Sequence, residues 1–199
     1  LDSPPKTFLC ASAVGIYGDR GSEALAESSS RGDGFLADVC ARWEEAAGEA
    51  ETFGARVAML RFGVVVSPRG GFLAKVLPPF RAGAGGVVGS GRQYMSWVSI
   101  DDAVSAVLFA LYADELQGPL NVVAPTPITN RGVTRALGRV LGRPTLVPMP
   151  APLARIAFGQ MADEMLLSSA RVTPERLLDA GYPFRHQDFG GALRHLLGR

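Results

Sequence analysis

Lysine is nearly missing: of the twenty basic residues only Lys6 and Lys75 are lysine, and the rest are arginine. Such an Arg-, Ala-, Gly- and Pro-rich composition reads as the product of a GC-rich bacterial gene. An excess of either charge is missing too, with twenty basic against nineteen acidic residues and a net charge of +1. A general nucleic-acid binder carries a basic excess, so no nucleic-acid partner is expected. There are two cysteines, Cys10 and Cys40, too few for a disulfide framework. Each sits in an apolar pattern and reads as a buried structural thiol. The two histidines, His186 and His195, have no ligand partner at metal spacing, so no metal site is expected. The longest strongly apolar stretch, Val104 to Ala113, is well short of the roughly 18 residues of a bilayer span, so no membrane partner is expected. No basic-then-apolar leader opens the chain. A cytoplasmic protein is the resulting expectation.

What remains is a chain of 199 residues, 47% hydrophobic, enough for one domain with a sizeable core. Thr7 to Ala13 reads as a buried parallel strand, and Val14 to Gly18 as the turn that leaves it. Asp33 is placed to cap a helix carrying Phe35, Leu36, Val39, Cys40, Trp43, Ala46, Ala47, Ala50 and Phe53, closed by Gly54. Trp43 is assigned to the core. Arg56 to Ser67 is a second buried strand. A short helix from Phe72 is expected to break at Pro78-Pro79. Tyr94 to Ile100 is β-like, and Ser99-Ile-Asp-Asp102 resembles a capping box opening a helix to Leu111. Leu120 to Ala124 and Thr145 to Met149 are further strands, with a helix capped by Thr129 between them. Helices are expected over 152–168, 174–180 and 188–197. Strands alternating with helices predict an α/β fold with a mainly parallel sheet and a smaller, mostly helical C-terminal lobe.

One stretch departs from the even charge balance. From Thr52 to Ile100 there is no Asp or Glu, while Arg56, Arg61, Arg69, Lys75, Arg81 and Arg92 all fall within it. Five glycines occupy Gly83 to Gly91. Arginine forks grip phosphate or carboxylate, and glycine lets backbone approach a ligand, so the segment points to an anionic small molecule.

Ser12-Ala-Val-Gly-Ile-Tyr-Gly18 resembles the strand-five signature of extended short-chain dehydrogenases/reductases, and Leu60-Arg-Phe-Gly-Val-Val-Val-Ser-Pro68 their strand-six motif. Further markers resemble the NAD-dependent epimerase/dehydratase-like subfamily of the 39U class. Among them are Ser67-Pro-Arg-Gly-Gly71, Leu77-Pro-Pro-Phe-Arg81, Gly89-Ser-Gly-Arg-Gln-Tyr94, Asn121-Val-Val-Ala-Pro125, Gly159-Gln-Met-Ala162 and Gly181-Tyr-Pro-Phe184. The resemblance runs from about residue 7 to 197. It implies a Rossmann-type sheet and an NADP(H) cofactor, with NAD(H) as the alternative. Members begin with a Gly-x-x-Gly-x-x-Gly unit that seats the pyrophosphate, and nothing in this chain supplies it. The expectation is therefore the second half of such a domain over 1–144, with 68–98 inserted into the substrate lobe and 145–199 as a C-terminal module. Cofactor binding is expected to need the upstream half.

The resemblance implies Ser12 as the group that hydrogen-bonds the reacting oxygen, one residue further from Tyr17 than usual, with Tyr17 lining the pocket or packing. It implies Ala11, Phe62, Gly63 and Val64 beside the cofactor, and Arg81, Arg92 and Trp97 at the substrate. The catalytic Tyr-x-x-x-Lys is absent: counted back from Glu44, its Tyr slot is Leu36 and its Lys slot Cys40. Two functions stay open. One is NADP(H)-dependent oxidoreductase or epimerase-like chemistry on a small hydroxyl- or carbonyl-bearing, anionic substrate. The other is a non-catalytic nucleotide sensor or scaffold, which the resemblance links to cell division. A homodimer is compatible with either.

Overall fold

The computed structural model describes residues 5–159 and 162–199. Gln160 and Met161, in the middle of one family-like marker, lie outside the described residues. Beside the short elements β2 (Ala24–Leu25), β5 (Tyr94–Met95), α5 (Ala151–Phe158) and α6 (Glu175–Asp179), three strands form the central sheet in the order β1-β3-β7: β1 (Thr7–Ala13), β3 (Arg56–Phe62) and β7 (Gly118–Val122). All are parallel, with Ser12 opposite Arg61 and Phe62 opposite Val122. Parallel neighbours need crossovers, and α1 (Phe35–Gly48) and α3 (Ile100–Tyr112) lie in the two connections. The expected parallel α/β architecture is therefore present.

The second strand does not run to Ser67. It ends at Phe62, and after Gly63 a separate strand β4 (Val64–Val66) pairs in parallel with β6 (Trp97–Ser99). Gly63 gives its N–H to Val122 O at 3.2 Å, while Val64 gives its own to Ser96 O at 2.8 Å. The chain changes partner within one residue. A Cβ on Gly63 would lie 2.6 Å from Ser96 O and 2.8 Å from Val123 Cγ1. Glycine is demanded here by protein packing.

That switch gives the domain two adjoining cores. Beneath α3, Ala58, Leu60, Leu120 and Val122 of the sheet pack with Ala103, Ala106, Leu177 and Tyr182. Beyond Gly63, α2 (Gly71–Arg81), α4 (Asn130–Leu141) and α7 (Phe189–Leu196) enclose Leu73, Leu77, Phe80, Trp97, Leu137 and Leu193. Ser99 and Thr129 cap α3 and α4 by accepting from the N–H three residues on, as their motifs predict. Asp188 does the same for α7.

Several expectations are corrected. Asp33 makes no cap: Gly34 stands at the N-cap of α1, with no side-chain bond. Helix α2 runs through Pro78 and Pro79, whose carbonyls still accept from Ala82 and Ala84. Thr145 to Met149 is no strand; a single bridge, Val88 to Met149, remains of it. Trp43 is 55% exposed. The helix also stops at Gly48, with Ala50 and Phe53 in a 3-10 segment (Glu49–Phe53) that Gly54 closes; α1 buries the side carrying Ala37, Cys40 and Ala47 while Phe35 and Trp43 stay outside. Cys40 is buried as expected, but Cys10 is only half-buried.

The switch glycine is directly testable. Gly63→Ala forces a methyl into backbone it cannot displace, so a loss of about 1–3 kcal/mol, as for overpacking elsewhere, should show in the urea midpoint. Gly70→Ala, where a Cβ meets nothing within 4 Å, is the control and should stay close to the parent.

Candidate functional site

The carboxyl ends of the central strands hold a buried polar network. On neighbouring strands Ser12 and Arg61 both reach α1 at Glu44. Arg61 grips that carboxylate with two bonds, Nε to Oε1 at 2.8 Å and Nη2 to Oε2 at 2.7 Å. Ser12 Oγ donates to Oε1 at 2.7 Å. The third guanidinium nitrogen, Nη1, donates to Tyr17 Oη at 2.8 Å, and Tyr17 donates onward to Asn121 Oδ1 at 2.8 Å. Asn121 Nδ2 donates to Thr173 O at 3.0 Å, and its backbone N–H to Glu27 Oε1 at 3.0 Å.

Burial sets the electrostatics. It works against the charged Arg61 guanidinium, but the bonds to Glu44 and Tyr17 outweigh it and raise the pKa, so the charge is permanent. Burial also raises Tyr17, against the pull of Arg61, and keeps the phenol neutral. Burial raises Glu27 as well, and its Oε2 is buried with no hydrogen-bond partner among the described residues.

The residues singled out from sequence fall into three groups. Ala11, Phe62, Gly63 and Val64 sit at or near the carboxyl ends of β1 and β3, with Ala11 exposed and the other three partly exposed. Ser12 is there too, but it is 5% exposed and its proton is committed to Glu44. Tyr17 and Trp97 are both 0% exposed, so the structure places them in the interior, Tyr17 as the packing alternative has it. Trp97 packs edge-on against Phe189 at 5.0 Å and donates from its indole to Thr126 O. Arg81 and Arg92 are exposed, on α2 and on the loop after it, and no hydrogen bond joins them to the Ser12 network among the described residues. Leu36 and Cys40, in the Tyr and Lys slots, lie against Gly15, where an added Cβ would meet Leu36 Cβ at 3.3 Å and Cys40 Sγ at 3.9 Å. Burial raises the Cys40 thiol, so it is no substitute base.

The acid-free stretch is not one basic wall. Arg61 is in the network, and Arg56 turns inward to bond Leu116 O, Ala110 O and Leu111 O, closing the end of α3. Only Arg69, Lys75, Arg81 and Arg92 are left outside.

Sequence reasoning missed Glu44, Asn121 and Glu27 as partners. The signal for Glu44 was present: it follows Leu36 and Cys40 at helical spacing, an acidic residue on the inward stripe, which needs a buried cation. The spacing argument against a histidine cluster also fails, because the fold brings Asp101 to His186 and His195 with ligand atoms within 4.8 Å.

The Arg61–Glu44 pair yields a prediction. Side chains only 10% and 12% exposed put it in the regime where removing one partner strands the other charge. Glu44→Gln should cost about 3–5 kcal/mol in the urea-unfolding free energy. Arg61→Met with Glu44→Leu should cost clearly less than the two single changes added together, since neither charge is then stranded.

A family model described as NAD dependent epimerase/dehydratase family matches residues 1–123, and one described as a domain of unknown function (DUF1731) matches 149–196. An epimerase family protein of Mycobacterium bovis, Mb2239, is 45% identical over 198 residues, covering 100% of this chain and 66% of its own length. The crystal structure of human epimerase family protein SDR39U1 (isoform 2) with NADPH has a TM-score of 0.92 at 32% identity, covering 100% of this chain and 68% of that one. A nucleoside-diphosphate sugar epimerase from Corynebacterium glutamicum gives 0.81 at 39% identity, over 97% of this chain and 38% of that one. The chain thus spans about two thirds of the length of the curated relatives it matches. With the parallel sheet, the strand-end site and the ordered motifs in agreement, the chain belongs to the NAD dependent epimerase/dehydratase family.

Proposed function

We propose that this chain supplies the nicotinamide side and the substrate lobe of an NADP(H)-dependent oxidoreductase or epimerase-like protein. Its substrate is a small, anionic molecule bearing a hydroxyl or carbonyl. One observation carries the reading. Ala11 and Phe62–Val64 sit accessible at the carboxyl ends of parallel strands, where open α/β sheets take their ligands, in a chain whose human relative holds NADPH. NAD(H) is the alternative cofactor. No pyrophosphate-cradling glycine loop lies in the chain, so the residues present fit the nicotinamide end of the cofactor and not its diphosphate.

The bound cofactor supplies hydride chemistry. In this chain, the backbone from Phe62 to Val64 lines the ring. Ser12, having given its proton to Glu44, offers a lone pair that accepts from a substrate hydroxyl. Arg81 and Arg92 hold the substrate's negative charge. Leu36 and Cys40 move no proton, so that step falls to water or to another group.

A second reading, a nucleotide sensor without turnover, is favoured by the inward Ser12 and the apolar pair at 36 and 40. For both readings we place the protein in the cytoplasm, as a monomer or homodimer, with no partner beyond the small ligand required.

Calorimetry on the full-length gene product should give an NADPH Kd in the micromolar range or tighter, about 8 kcal/mol, and the 199-residue piece should bind far more weakly. Equal affinity for both would refute the division of the cofactor site. For an enzyme, Ser12→Ala removes one neutral hydrogen bond to the substrate hydroxyl, about 0.5–1.5 kcal/mol, and should lower kcat by up to roughly ten-fold with NADPH affinity kept. Arg81→Ala and Arg92→Ala should instead raise KM. Unchanged turnover in Ser12→Ala would remove the serine from the chemistry, and no turnover of any carbonyl panel by the parent would favour the sensor.

A further inference from the structure

The chain has two histidines in 199 residues, and the fold puts both in one place. Their rings lie 4.7 Å apart, inclined at 41°. His186 comes from the segment before α7, and His195 from that helix's last turn. The first turn of α3 brings Asp101 to them, and His195 Nε2 stands 3.0 Å from Asp101 Oδ2.

Below this group His186 is fixed by a buried anchor. Its Nδ1 is 3.1 Å from Ser99 Oγ and 3.4 Å from Asp102 Oδ2. Ser99 donates its own proton to Asp102 Oδ2 at 2.8 Å, so Nδ1 must be the donor toward Ser99. That leaves the lone pair on His186 Nε2. Asp102, 1% exposed, also takes the backbone N–H groups of Arg185 and His186, at 2.8 and 3.0 Å. A carboxylate that orients a histidine and sets its tautomer is the usual support behind a metal ligand.

We propose that Asp101, His186 and His195 bind a divalent transition metal of the zinc class. Two imidazoles and one carboxylate are a borderline donor set suited to that ion. Bonds of about 2.0–2.1 Å in a tetrahedron place ligand atoms roughly 3.3 Å apart. One edge already stands at 3.0 Å, and all three ligand atoms lie within 4.8 Å, so modest side-chain rotation closes the site. The ion takes the place of the proton shared by His195 and Asp101. That proton goes to solvent or moves to His195 Nδ1. The fourth position faces water, since the side chain of His195 is 60% exposed. The ion would pin the C-terminal segment to the start of α3, separate from the nucleotide chemistry proposed above.

Tag-free protein stripped with chelator is titrated with zinc chloride by calorimetry and by thermal melting. A one-to-one Kd in the micromolar range or tighter, with a Tm rise of several degrees reversed by EDTA, is expected. Cobalt(II) should give visible d–d absorption without a thiolate charge-transfer band, which separates this site from Cys10 and Cys40. His195→Ala, an exposed change that leaves the fold intact, should abolish binding, and Asp101→Asn should weaken it at least ten-fold. Asp114→Asn, at a carboxylate whose side chain is 99% exposed, should leave it unchanged. Binding only at millimolar zinc, a thiolate band, or equal affinity in His195→Ala would overturn the proposal.

Discussion

One buried guanidinium organises the carboxyl end of the central sheet. Arg61 on β3 spends its donors on Glu44 of α1 and on Tyr17 of the turn after β1, and Tyr17 passes the bond to Asn121 on β7. A charge this deep is tolerable only when paired and saturated, so each partner must stay where it is. The network therefore fixes the angle of α1 on the sheet, the path of the turn leaving β1, and, through Asn121 Nδ2, the segment at Thr173. An apolar contact among the same elements would tolerate sliding. The directional bonds of a guanidinium do not.

The chain's second constraint, the partner switch at Gly63, depends on the first. Arg61 holds the end of β3 against α1 while Val64–Val66 leave for β6. Between them Phe62 and Gly63 are left partly exposed. The carboxyl end of an open parallel sheet becomes accessible where neighbouring strands diverge, and here one strand splits in two to make that opening. The lobe beyond the split is then free to build its own core around Trp97, which is why that residue is interior.

Much of this architecture was legible in the sequence, and the failures share a cause. Strands β1, β3 and β7 and the caps at Ser99 and Thr129 follow from local pattern, because apolar runs and capping residues act within a few positions. The break after Phe62 was not legible: Val64–Val66 continues the same apolar run, and only Ser96, more than thirty residues on, dictates the change. Trp43 failed for a related reason. Apolar periodicity identifies a helix but not how much of its circumference finds a neighbour. At the site, motif resemblance located the strand-end positions, while burial at Tyr17 and Trp97 is a property of packing that a motif does not encode. The histidine cluster failed most completely, since Asp101 and His195 are 94 residues apart in sequence.

The network also explains how the chain can lack the Tyr-x-x-x-Lys pair and keep its shape. In a pair of that kind the lysine charge lowers the tyrosine's pKa and readies it for proton transfer. Here the positive charge near the serine belongs to Arg61, and it is already neutralised by Glu44 at 2.7 Å. Leu36 and Cys40 then sit against Gly15 as ordinary packing, and they need no counter-ion. Tyr17 is bonded to the same guanidinium, yet burial raises its pKa, so it holds its proton rather than sharing it. Arg61, Glu44, Tyr17 and Asn121 are thus committed to one another. Ser12 is the member bonded to Glu44 and not to the guanidinium, so among the described residues the network leaves its lone pair as the one group at this strand end not tied to Arg61 or Asn121.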